Sequence, residues 1–468
     1  MSDPQQAELG KTLRSRHVAM IAIGGIIGAG LFVGSSTSIA TVGPAVILSY
    51  GLSGLVILFI MRMLSEMATA VPGVGSFTEF TRLGLGDWAG FVSGWLYWYF
   101  WVVVVAIEVI AGAVILKLWM PFETWQIGLV LLALMTGVNL MSTRSYGEFE
   151  FWFSSLKVAA ILVFIAVAGA YATGLTSSAG PTFANLTSHG GFAPHGMAAV
   201  LAGVTSVIFA LCGAEIATIA AAESAEPAKT IARLTGSVAL RIILFYVVSI
   251  ALILAVVPWS EIRPGTSPFA TALDRMGIPA AATIMNGVVL VAVLSCLNSG
   301  LYVTSRVLFT LSRKGDAPQW LVAVNRRQVP ARSILIGSLF GYAAVAASVL
   351  SPEVVFSFLG NASGATMLII YLLVCFAQLR LRGRLEWDDP ARLIVRMWFH
   401  PWGTYAVIVA IAAVLIAMAC TPALASQFWS SLAVAVAVGL AYLAFRHGSR
   451  TRSESEIATI PSLDASGR

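Results

Sequence analysis

The sequence predicts an all-α polytopic membrane protein with twelve transmembrane helices. Three observations carry that prediction. The 468 residues are 58% hydrophobic and 11% charged, with a mean hydropathy of +0.87, whereas a soluble chain carries about 25% charged residues. Stretches of the roughly 20 apolar residues needed to cross a bilayer recur along the whole chain. The basic residues, finally, sort to alternate sides of those stretches.

The twelve spans are expected at about 18–40, 44–70, 90–118, 125–142, 153–174, 196–222, 237–258, 280–311, 333–351, 354–378, 402–421 and 427–446. The first is too long for the core of a cleavable signal peptide and reads as an uncleaved helix. With the N-terminus cytoplasmic, 24 of the 28 Lys and Arg fall on the cytoplasmic side. Only Lys117, Arg263 and Arg275 fall outside, and Lys157 remains inside span five. That asymmetry supports twelve spans with both termini cytoplasmic, in the plasma membrane. It also accounts for the net charge of +6 without nucleic acid. The domain reading is a cytoplasmic segment 1–17, one transmembrane domain 18–446, and a polar, disordered cytoplasmic tail 447–468. Residues 379–401 form a polar loop. The Ser/Gly/Thr-rich stretch 175–195 is a flexible outer connector, and its sequon Asn185-Leu186-Thr187 reads as chance. Cys212, Cys296, Cys375 and Cys420 lie in apolar stretches without metal-ligand or redox spacing, so no cofactor or metal is implied.

Five constellations bear on function. Span one carries Gly24-Gly25-Ile26-Ile27-Gly28-Ala29-Gly30. The pair Gly28-x-Gly30 is not a dinucleotide fingerprint, which needs a preceding strand in a soluble βαβ unit. The cluster is either a close helix-packing face or a broken helix whose freed N–H groups suit a carboxylate. Span six carries Phe209-Ala210-Leu211-Cys212-Gly213-Ala214-Glu215, with a carboxylate at membrane depth, where an ionisable group costs about 2.5–3.5 kcal/mol. Glu215 either contacts substrate or brings a proton, or else bonds a neighbouring loosened backbone. Spans one and six hold matching positions in two five-helix halves, and interrupted segments so placed point to a transporter site. Glu108, near the middle of span three, either meets a substrate ammonium or pairs with a proton, or else makes one interhelical hydrogen bond. Lys157 either snorkels to the interface or faces the bundle interior, where it could exchange a proton during transport. In Ser295-Cys296-Leu297-Asn298-Ser299, Asn298 is the better candidate for a pocket wall and the serines for packing.

Together these residues resemble the amino acid–polyamine–organocation superfamily, and within it the bacterial amino acid transporters, most closely the 4-aminobutyrate (GABA) permeases. The resemblance covers nearly the whole chain. It includes Ser15-Arg16-His17, Ile26 to Ser36, Tyr146 to Trp152, Gly213-Ala214-Glu215, Ala220 to Ser224, Ser295 to Ser299 and Ser312 to Pro318. It implies two inverted five-helix repeats plus two C-terminal helices, with helices 1 and 6 discontinuous. It implies that main-chain groups at Ile26, Gly28, Ala29 and Gly30 hold a substrate carboxylate. Carbonyls near Phe209, Cys212 and Gly213 would receive the ammonium, with Phe209 as a gate. Lys157 matches a lysine that replaces the sodium ion of sodium-coupled relatives, which implies proton coupling. Gly30 stands where the GABA permease pattern has Ser.

The expected activity is therefore import of a small zwitterionic amino acid with protons, by alternating access across the lipid bilayer. Three other classes fit less well. A major-facilitator carrier would have a basic loop between spans two and three, whereas 71–89 holds only Arg82. A membrane enzyme would cluster His, Cys or carboxylates at the membrane face, whereas the histidines are scattered at 17, 189, 195, 400 and 447. A channel would not accumulate its solute uphill.

Overall fold

The structure is a computed structural model, and it describes residues 17, 20, 27–71, 74, 76–177, 180–216, 240–349 and 352–458. Ile26, Gly24, Gly25 and the motif 220–224 lie outside the described residues, as does the side chain of Phe209. Every regular element among the described residues is helical. They run α1 (Gly30–Val42), α2 (Val46–Ala70), α3 (Phe77–Leu85), α4 (Asp87–Leu116), α5 (Thr124–Met141), α6 (Thr143–Ala172), α7 (Gly196–Leu211), α8 (Leu240–Val256), α9 (Pro268–Arg275), α10 (Ala281–Arg313), α11 (Ala331–Ala347), α12 (Pro352–Asp388), α13 (Trp402–Cys420) and α14 (Pro422–Ala458). Eight of these have a segment long and apolar enough to cross a membrane; α1, α7, α8 and α11 are shorter apolar helices. The chain is thus an all-α, multi-pass membrane protein.

Several helices overrun their expected ends. α6 starts at Thr143 rather than 153, capped by the Ser142 hydroxyl, which accepts from the Ser145 N–H. That cap satisfies one of the N–H groups a helix start leaves orphaned. α12 continues to Asp388, so the expected loop 379–401 is helical in its first part. The connector at 175–195 is packed, not loose. Asn185 Nδ2 donates to the Ala255 carbonyl at 2.8 Å and Trp259 Nε1 to the His189 carbonyl at 2.9 Å.

α4 is the packing axis: α3, α5, α10, α11, α12 and α14 all lie against it. Of its most apolar window 83% is buried, against 6% for α14, so α14 lines the periphery. A second group forms around α7. Ser49 of α2 donates to the Val200 carbonyl at 2.7 Å, Tyr50 of α2 packs on Tyr246 of α8, and α1 lies along α7. The two broken helices therefore share one bundle, set against the bundle built on α4 and α10.

Candidate substrate site at the two helix breaks

Both glycine-bearing spans are interrupted. Met20 is helical, Ile27 and Gly28 form a bend, and the chain re-enters a helix at Ala29, opening with a π-helical stretch at Gly30–Gly34. The Gly28 carbonyl accepts from the N–H groups of Leu31 and Phe32 at 3.3 and 3.4 Å. α7 stops at Leu211, a turn covers 212–215, and Ile216 is helical again. Gly213 sits at φ +117°, a region open to glycine and costly for any residue with a Cβ. Of the two alternatives for span one, packing and a break, the structure shows both. Gly30 presses on α7 so closely that a Cβ would lie 2.8 Å from the Ala210 Cα.

A carboxylate answers each break. Glu108 of α4 accepts the Ala29 N–H with both oxygens, at 3.0 and 3.2 Å. A Cβ on Gly28 would stand 2.6 Å from Glu108 Oε1 and 2.8 Å from Cys296 Sγ. Glycine at 28 is thus what lets the Glu108 carboxyl approach the start of the helix, where freed N–H groups and the helix dipole favour an anion. At the second break Glu215 folds back on its own turn and accepts the Gly213 N–H at 3.2 and 3.1 Å. Tyr97 of α4 and Tyr371 of α12 donate to the same carboxyl at 3.3 and 3.2 Å. Glu215 thereby caps the break and ties it to both neighbouring helices. The Ala210 carbonyl accepts from the Tyr246 hydroxyl at 2.9 Å.

Lys157 faces the interior and does not snorkel. It is fully buried, and its Nζ donates to the Ile27 carbonyl and to Ser295 Oγ, each at 2.8 Å. Lys157 thus holds the first helix break directly. Gly28, Ala29, Gly30, Glu108, Lys157 and Cys296 come together at that break, and Cys212, Gly213 and Glu215 at the other. Cys212 is buried and takes a weak contact from the Tyr371 hydroxyl at 3.9 Å. Asn298 is not brought to either break. Its Oδ1 accepts from Asn139 Nδ2 of α5 at 2.8 Å, on the side of α10 away from Cys296.

Two clusters escaped the sequence reading. Glu150, fully buried, accepts from the hydroxyls of Ser154 and Ser295. It precedes the expected start of its span at 153, so nothing in the sequence placed it inside the bundle. Glu66 of α2 is buried and accepts from Arg382 Nη1 at 2.9 Å, Gln378 Nε2 at 2.6 Å and the Met397 N–H at 2.5 Å. Its basic partner sits in the stretch read as a loop, so no spacing linked the two.

The chain matches the amino acid permease family over residues 17–452. It is 45% identical over 443 residues to the gamma-aminobutyric acid permease of Bacillus subtilis (strain 168), covering 94% of each chain. It is 44% identical over 428 residues to the gamma-aminobutyric acid permease of Escherichia coli (strain K12), covering 90% of each. It is 36% identical over 442 residues to the aromatic amino acid transport protein AroP of Corynebacterium glutamicum, covering 93% of this chain and 94% of the other. The chain belongs to the amino acid permease family. As a member of that family it is a secondary transporter, not an enzyme.

Proposed function

We propose that this permease imports a small zwitterionic amino acid, 4-aminobutyrate foremost, together with protons. The contact between Lys157 and the Ile27 carbonyl carries the reading. A protonated amine fastens the break of the first span; a neutral one has fewer donors to do so. Protonation and substrate then need only favour the same state to be coupled. In this reading the freed N–H groups at Gly28, Ala29 and Gly30 receive the substrate carboxylate after it displaces Glu108. Main-chain carbonyls of residues 209–213 receive the ammonium, with Phe209 as the gate. Glu108 supplies a carboxylate within reach, and Glu215 holds the second break in shape. Asn298 serves the contact between α5 and α10.

The architecture that goes with this function has twelve spans: two inverted five-helix repeats and two C-terminal helices, both termini in the cytoplasm, seated in the plasma membrane. The eight long helices and four shorter apolar ones follow the order of the twelve apolar stretches. The names of the relatives favour 4-aminobutyrate, and the more distant match makes aromatic substrates the natural comparison.

The test is uptake into proteoliposomes of radiolabelled 4-aminobutyrate, proline, aromatic and small neutral amino acids, with an imposed pH gradient, with and without a protonophore. Uphill accumulation of 4-aminobutyrate that collapses with the protonophore is expected. Equilibration without accumulation would mark a channel, and accumulation indifferent to the protonophore would remove the proton. Normal gradient-driven accumulation by Lys157→Ala would end the role assigned to that lysine.

A further inference from the structure

Lys157 has a second buried carboxylate close to it, besides Glu108. Glu150 precedes it by seven residues on α6, which places the two about 10 Å apart along one helix face. Glu150 is fully buried. Its Oε1 accepts from Ser154 Oγ at 2.8 Å and from Ser295 Oγ at 2.5 Å, and the same Ser295 hydroxyl accepts from Lys157 Nζ at 2.8 Å. Amine, hydroxyl and carboxylate thus form a continuous donor-to-acceptor line. The other carboxylate oxygen, Oε2, is buried and has no hydrogen-bond partner among the described residues. Leaving a buried oxygen so is costly, more so when it is charged, and buried polar atoms of this kind call for an explanation. Two residues toward the start of α6, the part-exposed Glu148 meets His17 at 3.2 Å.

We propose that Glu150 is the residue that takes and returns the Lys157 proton, through Ser295. This deepens the proton-coupled reading above and rests on it. The step balances without a further reactant. A proton leaves Lys157 Nζ for Ser295 Oγ as the Ser295 proton passes to Glu150 Oε1. A neutral amine, an intact hydroxyl and a neutral carboxyl result, and the reverse step reloads the lysine. Unloading removes a donor from Nζ and so loosens its hold on the Ile27 carbonyl.

The titratable groups that face the lysine are Glu150 from its own helix, Glu108 from α4 and Cys296 from α10. α5, which also packs on α6, carries no ionisable side chain; α8 brings Tyr246 and Arg241, and α9 brings Asp274 and Arg275. Of the two carboxylates, only Glu150 shares a bridging hydroxyl with the amine, while Glu108 is engaged at the Ala29 N–H.

The experiment separates exchange from coupling. Proteoliposomes with Glu150→Gln are assayed for radiolabelled 4-aminobutyrate, or whichever amino acid of the panel the unmodified protein accumulates. Exchange at equal pH needs no net proton movement and is expected to stay within about twofold of wild type. Accumulation driven by a pH gradient is expected to fall at least tenfold, with partial return in Glu150→Asp. Ser295→Ala, which removes the bridge while keeping both ends, is expected to lose accumulation in the same selective way. It carries the test alone if the Glu150 variants do not fold. Parallel loss of exchange and accumulation in every variant, or wild-type accumulation in Glu150→Gln or Ser295→Ala, overturns the relay. Lys157→Ala run alongside separates the two readings. If it too accumulates normally, the proton-coupled role of the lysine has failed; if it alone loses accumulation, only the relay has.

Discussion

Substituting Gly28 by alanine tests the first helix break most directly. The added Cβ would lie 2.6 Å from Glu108 Oε1, 2.8 Å from Cys296 Sγ and 2.9 Å from its Cβ. A carbon and an oxygen ordinarily approach no closer than about 3.3 Å, so the carboxyl must retreat by about 0.7 Å. From 3.0 and 3.2 Å to the Ala29 N–H, such a retreat carries one or both contacts beyond hydrogen-bond range. A hydrogen bond to a charged group is worth about 1.5–3 kcal/mol, and overpacking adds about 1–3 kcal/mol. Part of this relaxes through side-chain motion. A net destabilisation of the closed arrangement by about 2–4 kcal/mol is therefore expected, equivalent to roughly 30-fold or more in its population. The assay is thermal melting of the purified permease beside uptake by the same preparation. Glu108→Asp, shorter by one methylene, is expected to recover part of the melting temperature in the Gly28→Ala background. Gly28→Ala with unchanged melting and wild-type uptake would refute the crowding argument, since no carboxylate could then occupy that approach.

Three further outcomes follow from the same structure. Arg382→Ala leaves the Glu66 carboxylate buried with its cation gone, and is expected to cost about 3–5 kcal/mol in unfolding stability; Glu66→Gln in the same background should recover much of it, read by denaturation in detergent. Gly213→Ala must adopt φ +117°, and is expected to lose about 1–3 kcal/mol with uptake falling further than stability, because the turn itself is distorted. His400, outside the spans, is held below the ordinary imidazole value of 6.5 by partial burial first and by Arg382 second. The unfolded chain therefore takes up its proton before the folded one does, and stability is lost as pH falls below about 6.5. His400→Gln is expected to flatten that part of the melting-temperature profile, and an unchanged slope would exclude the histidine as its source.

Much of the region was readable from residue type alone. Gly28, Gly30 and Gly213 stood out because glycine and polar groups are conspicuous in apolar runs, and both breaks lie where they indicated. Lys157 was visible as a basic residue left inside span five, yet only the fold shows that its amine meets the Ile27 carbonyl. Glu150 was hidden for a physical reason. At the edge of a span a carboxylate reads as solvated, and the ten extra residues at the start of α6 are what draw it inside. Asn298 shows what residue type cannot tell, because an asparagine in a membrane helix satisfies itself as readily on a second asparagine as on a ligand, and Asn139 lies across from it. The pairing of Glu66 with Arg382 depends on α12 continuing to Asp388, which hydropathy alone does not reveal because the charged extension protrudes beyond the apolar span.

The Glu108 carboxylate at the Ala29 amide lets the first break stand closed with nothing bound. The Ala29 donor is then satisfied, so that amide is not orphaned when the carrier is unloaded. The cost falls on the incoming solute. Any free anion headed for that amide competes with one tethered a few bonds away, whose local concentration is in the millimolar range or above. In the binding mode proposed above, selectivity would rest on the whole molecule, because a bare carboxylate offers nothing the tethered group lacks, whereas a solute that also brings an ammonium gives the dislodged glutamate a new partner.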